Sequence, residues 1–297
     1  MTDTVLVPAD ALEDGATNVF AMPVDEVDAF DPVSHPGASR YRYTYPDGRH
    51  LDALLVAKES DVLVVNFHGA LDRGRYTPPR FERLRTSLEM PYSTLYLADP
   101  CLWAHETVAL AWYIGYHEVC AAWATAAAEA VGAKHVIFAG SSGGGYAALQ
   151  SATFVPGSIA VPFNPQTSVH GYHTEGGGWS AQRKFIEVFH RELAPDNLWA
   201  MDFSTDWTAD LGEAYSPIRR YQRPVPNQVI YGTNPLDFHH DEHLPPFLEA
   251  VRIGGNTDRV RVHQYDDGQT MHLPPNNRRF HIVIEEAVTL ARETVLQ

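Results

Sequence analysis

The chain has 297 residues, 44% of them hydrophobic, which is enough apolar material for one large core or two modest ones. Its 22 basic and 37 acidic residues leave a formal charge of −15, an acidic balance that argues against nucleic acid or an anionic membrane as the main partner. Cys101 and Cys120 are too few for a disulfide framework and read as buried small hydrophobes.

Residues 1–38 are acidic, with Pro and Gly scattered through them, and read as an irregular arm ahead of one domain over residues 39–297. The N-terminus has no basic segment followed by a long apolar stretch, so no signal peptide is expected and the expected location is cytoplasmic. Arg40–Tyr45 alternates aromatic and polar residues as a strand does. Pro46-Asp47-Gly48 then predicts a turn, and Leu51–Ala57 its hairpin partner. After that the pattern changes to continuous apolar runs: Val62–Phe67, Ser93–Ala98, His135–Ala139, Ser158–Val161, Gln228–Tyr231 and Val260–His263. Such runs predict strands buried on both faces, as in a parallel sheet. Helical patterns separate them, over Pro79–Glu89, Glu106–Val131, Gly144–Phe154, Pro246–Ile253 and Arg278–Val295. The alternation predicts an α/β sheet with helices on both faces. Val108–Val131 carries His117, Glu118 and Glu129, so it reads as a buried helix and not a membrane span. Residues 163–226 interrupt the alternation with Gly176-Gly177-Gly178, several tryptophans and a helix-like stretch over Ser180–Leu193. They read as a cap-like insertion over the carboxyl edge of the sheet.

Gly140-Ser141-Ser142-Gly143-Gly144 matches G-x-S-x-G between a buried strand and an Ala/Leu-rich helix. That is the setting of a nucleophile elbow, where small residues two before and two after the serine let strand and helix pass closely. Gly140 and Gly144 satisfy this for Ser142, while Ala139 and Gly143 satisfy it for Ser141, so sterics leave both serines open. A phosphate-binding turn fits less well. A Walker loop needs a Lys after its glycines where Tyr146 stands, and G-x-G-x-x-G does not fit Gly140–Gly145.

Read on through Gly145-Tyr146 and Ala148-Leu149, the stretch resembles the α/β-hydrolase superfamily, especially esterase-like members reading G-x-S-x-G-G-Y-x-A-L. The resemblance selects Ser142 as nucleophile and gives Gly143 an oxyanion N–H. His68-Gly69-Ala70, after the strand Val62–Phe67, is similar to the family's His-Gly motif, which implies Ala70 as the second donor. The family's partners follow in the order Ser, acid, His. The acid is then sought after Asn227–Tyr231, where Asp237 lies nearest the strand end. Asp241 is the alternative, expected to cap the next helix, and Glu242 stands beside it. The base is sought after Val260–Tyr265, where His272 is the histidine of the loop; His263 falls in the strand and His281 in the last helix.

The resemblance therefore implies an α/β-hydrolase fold and a serine hydrolase cleaving a carboxylic ester through Ser142, His272 and Asp237, with no cofactor. An acyltransferase or a peptidase would use the same residues, and a non-catalytic binding module on the fold is the reading from another class. A small-molecule or glycan ester is the expected substrate, and a homo-oligomer stays open. His239 and His243 are four apart, as zinc ligands on a helix can be. The sequence is not H-E-x-x-H, however, and Pro245-Pro246 is expected to limit a helix, so both read as polar neighbours of the acid and no metal is expected. Trp103 and His105 are candidates for the rim of the pocket, Asn164, Gln166 and His170 for hydrogen bonds to a polar substrate, and Trp179, Trp199 and Trp207 for stacking on a substrate or packing a lid core.

Overall fold

The apolar runs assemble into one nine-stranded sheet in the computed structural model, which describes residues 19–21, 30–33, 38–174, 180–266, 268 and 270–294. In chain order the elements are β1 (Val19–Ala21), β2 (Ala38–Thr44), β3 (His50–Val56), β4 (Val62–Phe67), α1 (Leu84–Leu88), β5 (Ser93–Ala98), α2 (His117–Val131), β6 (His135–Ser141), α3 (Gly143–Ala152), β7 (Ile159–Phe163), α4 (Ala181–Phe189), α5 (Pro217–Tyr221), β8 (Gln228–Thr233), α6 (Phe238–Ile253), β9 (Val260–Gln264) and α7 (Asn277–Thr294). The strand order is β1-β2-β3-β5-β4-β6-β7-β8-β9. β3 runs antiparallel to both β2 and β5, and from β5 to β9 every pairing is parallel. The β2–β3 hairpin closes as expected at Pro46-Asp47-Gly48. Gly48 supplies the left-handed φ of 84° the turn needs, and its N–H donates to the Tyr45 carbonyl.

The two faces of the sheet are filled by different helices. Along β4, Leu63, Val65 and Phe67 join a core with Trp123, Ala124 and Ala127 of α2 and Tyr146–Leu149 of α3. Val62 and Val64 point the other way, into a core with Phe280, Val283, Ile284, Ala287 and Ala291 of α7. Alternate residues of one apolar run therefore serve both faces, which is why the run has no polar gaps.

Four expectations are corrected. The helix expected over Pro79–Glu89 is confined to Leu84–Leu88, because Arg83 takes a left-handed φ of 68° that a right-handed helix cannot include. The helix expected over Glu106–Val131 begins only at His117. Residues 106–116 form a loop, buried over 108–114, in which Trp112, Tyr113 and Gly115 have φ of 53°, 57° and 84°. Its apolarity reports burial and not a helical face. α6 starts at Phe238 and runs through Pro245 and Pro246, which had been expected to limit it. Interior proline is costly, and here His239, His243, Phe247 and Val251 bury one continuous face of i, i+4 spacing that offsets it. β9 is an edge strand with Val262 39% exposed, so it is not buried on both faces.

Between β7 and β8 the segment carries α4, α5 and short 3₁₀ turns. It is tied to α3: Tyr146 Oη donates to the Ala214 carbonyl (2.7 Å), and Gln150 Nε2 to that of Glu213 (2.7 Å). The triple glycine and Trp179 lie outside the described residues, as does most of the N-terminal arm. Among the described residues no helix is long and apolar enough to cross a membrane.

Candidate active site

Ser142 stands between the last residue of β6 and the first of α3, with φ 57° and ψ −120°. Few side-chain-bearing residues adopt that conformation, and surrounding structure must hold it. The Ser142 N–H donates to the Phe163 carbonyl (3.0 Å), and its own carbonyl accepts from Tyr146 (3.0 Å), so the turn is fixed on both sides. Ser141 instead completes β6 opposite Phe163. The flanking glycines are sterically required. A Cβ on Gly140 would overlap the Gly144 carbonyl, and one on Gly144 would overlap the Phe67 carbonyl oxygen. Gly143 opens α3, so its N–H is among those without an intrahelical acceptor.

The loop after β4 lies beside this turn, where a Cβ on Gly69 would come 3.6 Å from Ser142 Cβ. His68 organises it. Its Nε2 accepts from the Asp99 N–H (3.0 Å), so Nδ1 carries the ring proton and donates to the Gly69 carbonyl (2.7 Å). Burial pushes the His68 pKa down to about 4, which keeps the ring neutral. In a trans peptide C=O and N–H point in opposite directions. Holding the Gly69 carbonyl toward His68 therefore turns the Ala70 N–H away from it. Ala70 also lines a cavity of about 770 Å³ with Leu71, Asp72, Arg73, Glu106 and Lys184, a size that suits a small organic ligand.

Asp237 and His272 meet at the ends of β8 and β9. His272 Nδ1 lies 2.8 Å from Asp237 Oδ2, with the Asp237 side chain fully buried and His272 21% exposed. Asp237 Oδ1 accepts from the His239 N–H (3.0 Å), so Asp237 is the N-cap of α6. The capping role expected of Asp241 thus falls to Asp237, and Asp241 is exposed in the first turn. Glu242 is exposed as well. Asn164, at φ 40°, ties the strand ends together. Its N–H donates to Gly232, its Oδ1 accepts from Asn234 (2.8 Å), and its Nδ2 donates to Tyr265 Oη (3.0 Å). Its side chain is spent on this framework and is not available as the substrate contact expected of it.

Among the described residues, the hydrogen bond at Ser142 Oγ comes from Gln166 Nε2 (2.7 Å) and none joins it to His272. Gln166 is buried, and its Oε1 accepts from Trp112 Nε1 (3.2 Å), which fixes the amide so that its NH₂ faces the serine. Trp112 is held in turn. The Tyr113 N–H donates to Asp99 Oδ2 (2.9 Å), and the His117 ring meets the Trp112 carbonyl (2.9 Å). The sequence offers Gln166 as a hydrogen bond to substrate and not to the serine, and it places Trp112 in a helix and not at the site.

The other rim candidates are dispersed. Trp103 packs on His50 (4.7 Å between ring centroids) beneath Arg42, and His105 is exposed. Trp199 is 64% exposed under Arg183, and Trp207 Nε1 donates to Gln182 within the β7–β8 segment. The His170 carbonyl accepts from the same Gln182. His239 and His243 are both buried next to the acid, and burial pushes their pKa values down to about 2 and about 3, so both rings are neutral.

No protein-family model and no curated protein matches the chain. Solved structures do. Brefeldin A esterase, a bacterial homologue of human hormone-sensitive lipase, is 18% identical with a TM-score of 0.54, over 97% of this chain and 85% of that one. The acylaminoacyl peptidase of Pyrococcus horikoshii is 14% identical with a TM-score of 0.52, over 84% of this chain. The Gap123 glycosylation-associated protein complex of Streptococcus agalactiae is 12% identical with a TM-score of 0.58, over 86% of this chain. The chain spans less than half the length of these last two, 40% and 46%. At such identities the likeness is one of fold.

Proposed function

We propose that this chain, which has the α/β-hydrolase fold, is a serine hydrolase that cleaves a carboxylic ester through Ser142, His272 and Asp237. The observation that carries the reading is a serine at φ 57° on a strand–helix elbow, at the same sheet edge as a 2.8 Å Asp237–His272 pair. That esterases and a peptidase share the fold supports the reaction class.

His272 has Nδ1–H donated to Asp237, which leaves Nε2 as the basic nitrogen. Ser142 Oγ attacks the ester carbonyl while its proton passes to His272. The oxyanion forms against the N–H groups of Gly143 and Ala70. The imidazolium then protonates the departing alcohol. Water, deprotonated by the same ring, resolves the acyl-enzyme and regenerates Ser142. The Gln166 hydrogen bond does not oppose this. Gln166 donates to Oγ, so the serine proton stays free for His272. The cavity beside Ala70 carries charges of both signs, which suits a polar small-molecule or glycan ester.

A fluorophosphonate probe tests the reading. We expect one adduct, on Ser142, and hydrolysis of p-nitrophenyl acetate that Ser142→Ala abolishes. A folded protein that takes no adduct overturns the enzyme, and an adduct on Ser141 overturns the choice of serine.

A further inference from the structure

His239 is a metal-ligating side chain that the proposed hydrolysis does not use. It lies in the first turn of α6, two residues after Asp237, and is fully buried. Its Nδ1 is 2.8 Å from the Asn164 carbonyl oxygen, which can only accept. Nδ1 therefore carries the ring proton, and Nε2 is left as a lone pair. That Nε2 is buried and, among the described residues, has no hydrogen-bond partner, which is costly for a buried polar atom. The neighbouring ring is that of His272, 3.7 Å away between centroids. One ligand atom each from Asp237, His239 and His272 fall within 4.8 Å of one another.

We propose that Asp237, His239 and His272 form a binding site for a divalent transition-metal cation, Zn²⁺ best suiting the donors, and that its occupation switches the enzyme off. The switching clause rests on the proposed function; the binding clause does not. Two imidazole nitrogens and one carboxylate oxygen are a ligand set Zn²⁺ accepts in tetrahedral geometry, with a fourth position for water or substrate. Bonds of ~2.0–2.2 Å place tetrahedral ligands ~3.4 Å apart, so the side chains close on the ion with shifts on the order of 1 Å. The partly exposed edge of His272 gives the ion its way in. Whichever His272 nitrogen binds, the base is lost: metal on Nε2 occupies the proton acceptor, and metal on Nδ1 replaces the Asp237 hydrogen bond. The His239–His243 pair suggested by sequence spacing does not serve. The converging ligand atoms are those of Asp237, His239 and His272, and His243 is not among them.

The test has a binding arm and an activity arm. Calorimetry of Zn²⁺ with the Ser142→Ala protein should give one site, weakened in Ser142→Ala/His239→Gln by at least the ~10–100-fold that loss of even an outer-shell partner costs. His243→Gln on the same background should bind as Ser142→Ala does. Equal affinity with and without His239, or no binding, overturns the site. In the wild-type protein Zn²⁺ should slow carbethoxylation of His272 by diethyl pyrocarbonate, read by peptide mass spectrometry, and an unchanged rate overturns the site without any substitution. In the activity arm Zn²⁺ should inhibit p-nitrophenyl acetate hydrolysis reversibly with EDTA. Binding without inhibition of an active enzyme overturns the switch. Binding to a protein that hydrolyses no ester removes the hydrolase reading while the metal site stands.

Discussion

The carboxylate of Asp237 caps α6 through Oδ1 and takes the His272 N–H on Oδ2. The two tasks separate on substitution. Asn keeps an oxygen for the cap and loses the charge that stabilises an imidazolium. Asp237→Asn should lower kcat by about 10⁴ while folding stability moves by less than ~1 kcal/mol. Asp241→Asn should change neither, and the reverse pattern in ester kinetics would exchange the two residues. Gln166 has its own signature. Gln166→Ala removes a donor at Ser142 Oγ and should cost about 10² in kcat, the scale of one active-site donor. It also strands the buried Trp112 Nε1, so thermal melts should drop by about 1–3 kcal/mol. A rate unchanged beside a lowered melting point would make Gln166 purely structural. The elbow and its glycines Gly140 and Gly144 were legible because the pattern is written within five consecutive residues, whereas those five left Ser141 and Ser142 both open as the proposed nucleophile. The Trp112–Gln166 bond joins residues 54 apart, and nothing local in the chain encodes that pairing.

Among the elements, continuous apolar runs located strands well, with Val62–Phe67 and Ser93–Ala98 matching β4 and β5 end to end. Helices were harder to read, for a physical reason. In residues 106–116 the apolar residues are buried by tertiary contacts while Trp112 and Tyr113 hold positive φ against the Asp99 carboxylate, so apolarity and helicity separate. In α6 two of the residues on the buried face are histidines, which disguise it as polar. The elbow yields a sharp prediction at this scale. Gly144→Ala drives a methyl into the Phe67 carbonyl oxygen, part of the β4 backbone that cannot rotate aside. It should cost at least the ~1–3 kcal/mol of core overpacking, seen as a lower denaturant midpoint. Gly157→Ala has open space and strain only from its φ of 76°, and should cost less. Equal midpoints for the two would remove close strand–helix passage as the reason for the glycines.

At the scale of the whole molecule, the four buried histidines among the described residues set the response to acid. Burial lowers the pKa of His68 and His117 to about 4, of His243 to about 3 and of His239 to about 2. An unfolded histidine takes its proton near pH ~6.5. Below that value the unfolded chain binds protons the folded one refuses. The stability these groups contribute is therefore complete above pH ~6.5 and is lost as pH falls toward the folded values, by up to ~1.4 kcal/mol per pH unit for each. Asp99 runs the opposite way. Burial raises its pKa to about 6, so its folded form holds a proton that the unfolded carboxyl releases, and it offsets part of the loss between its ordinary value and pH 6. Calorimetric melting temperatures should be flat near neutrality and fall steeply from pH 6.5 to 4.5, less steeply in His117→Gln. A melting point that rises on acidification would contradict the burial of these rings.

His272 follows β9, an edge strand that among the described residues is hydrogen-bonded on one side only and exposes Arg261, Val262 and Gln264 to water. Ser142 and Asp237 follow β6 and β8, each flanked by strands on both sides. Edge backbone opens in small excursions that need no global unfolding. Deuterium should enter the amides of residues 260–264 well before those of 137–141. On warming, ester turnover should then fade several degrees below the melting temperature and return on cooling. On that reading the proposed chemistry fails from the sheet's margin inward, with the serine and the carboxylate still in their places.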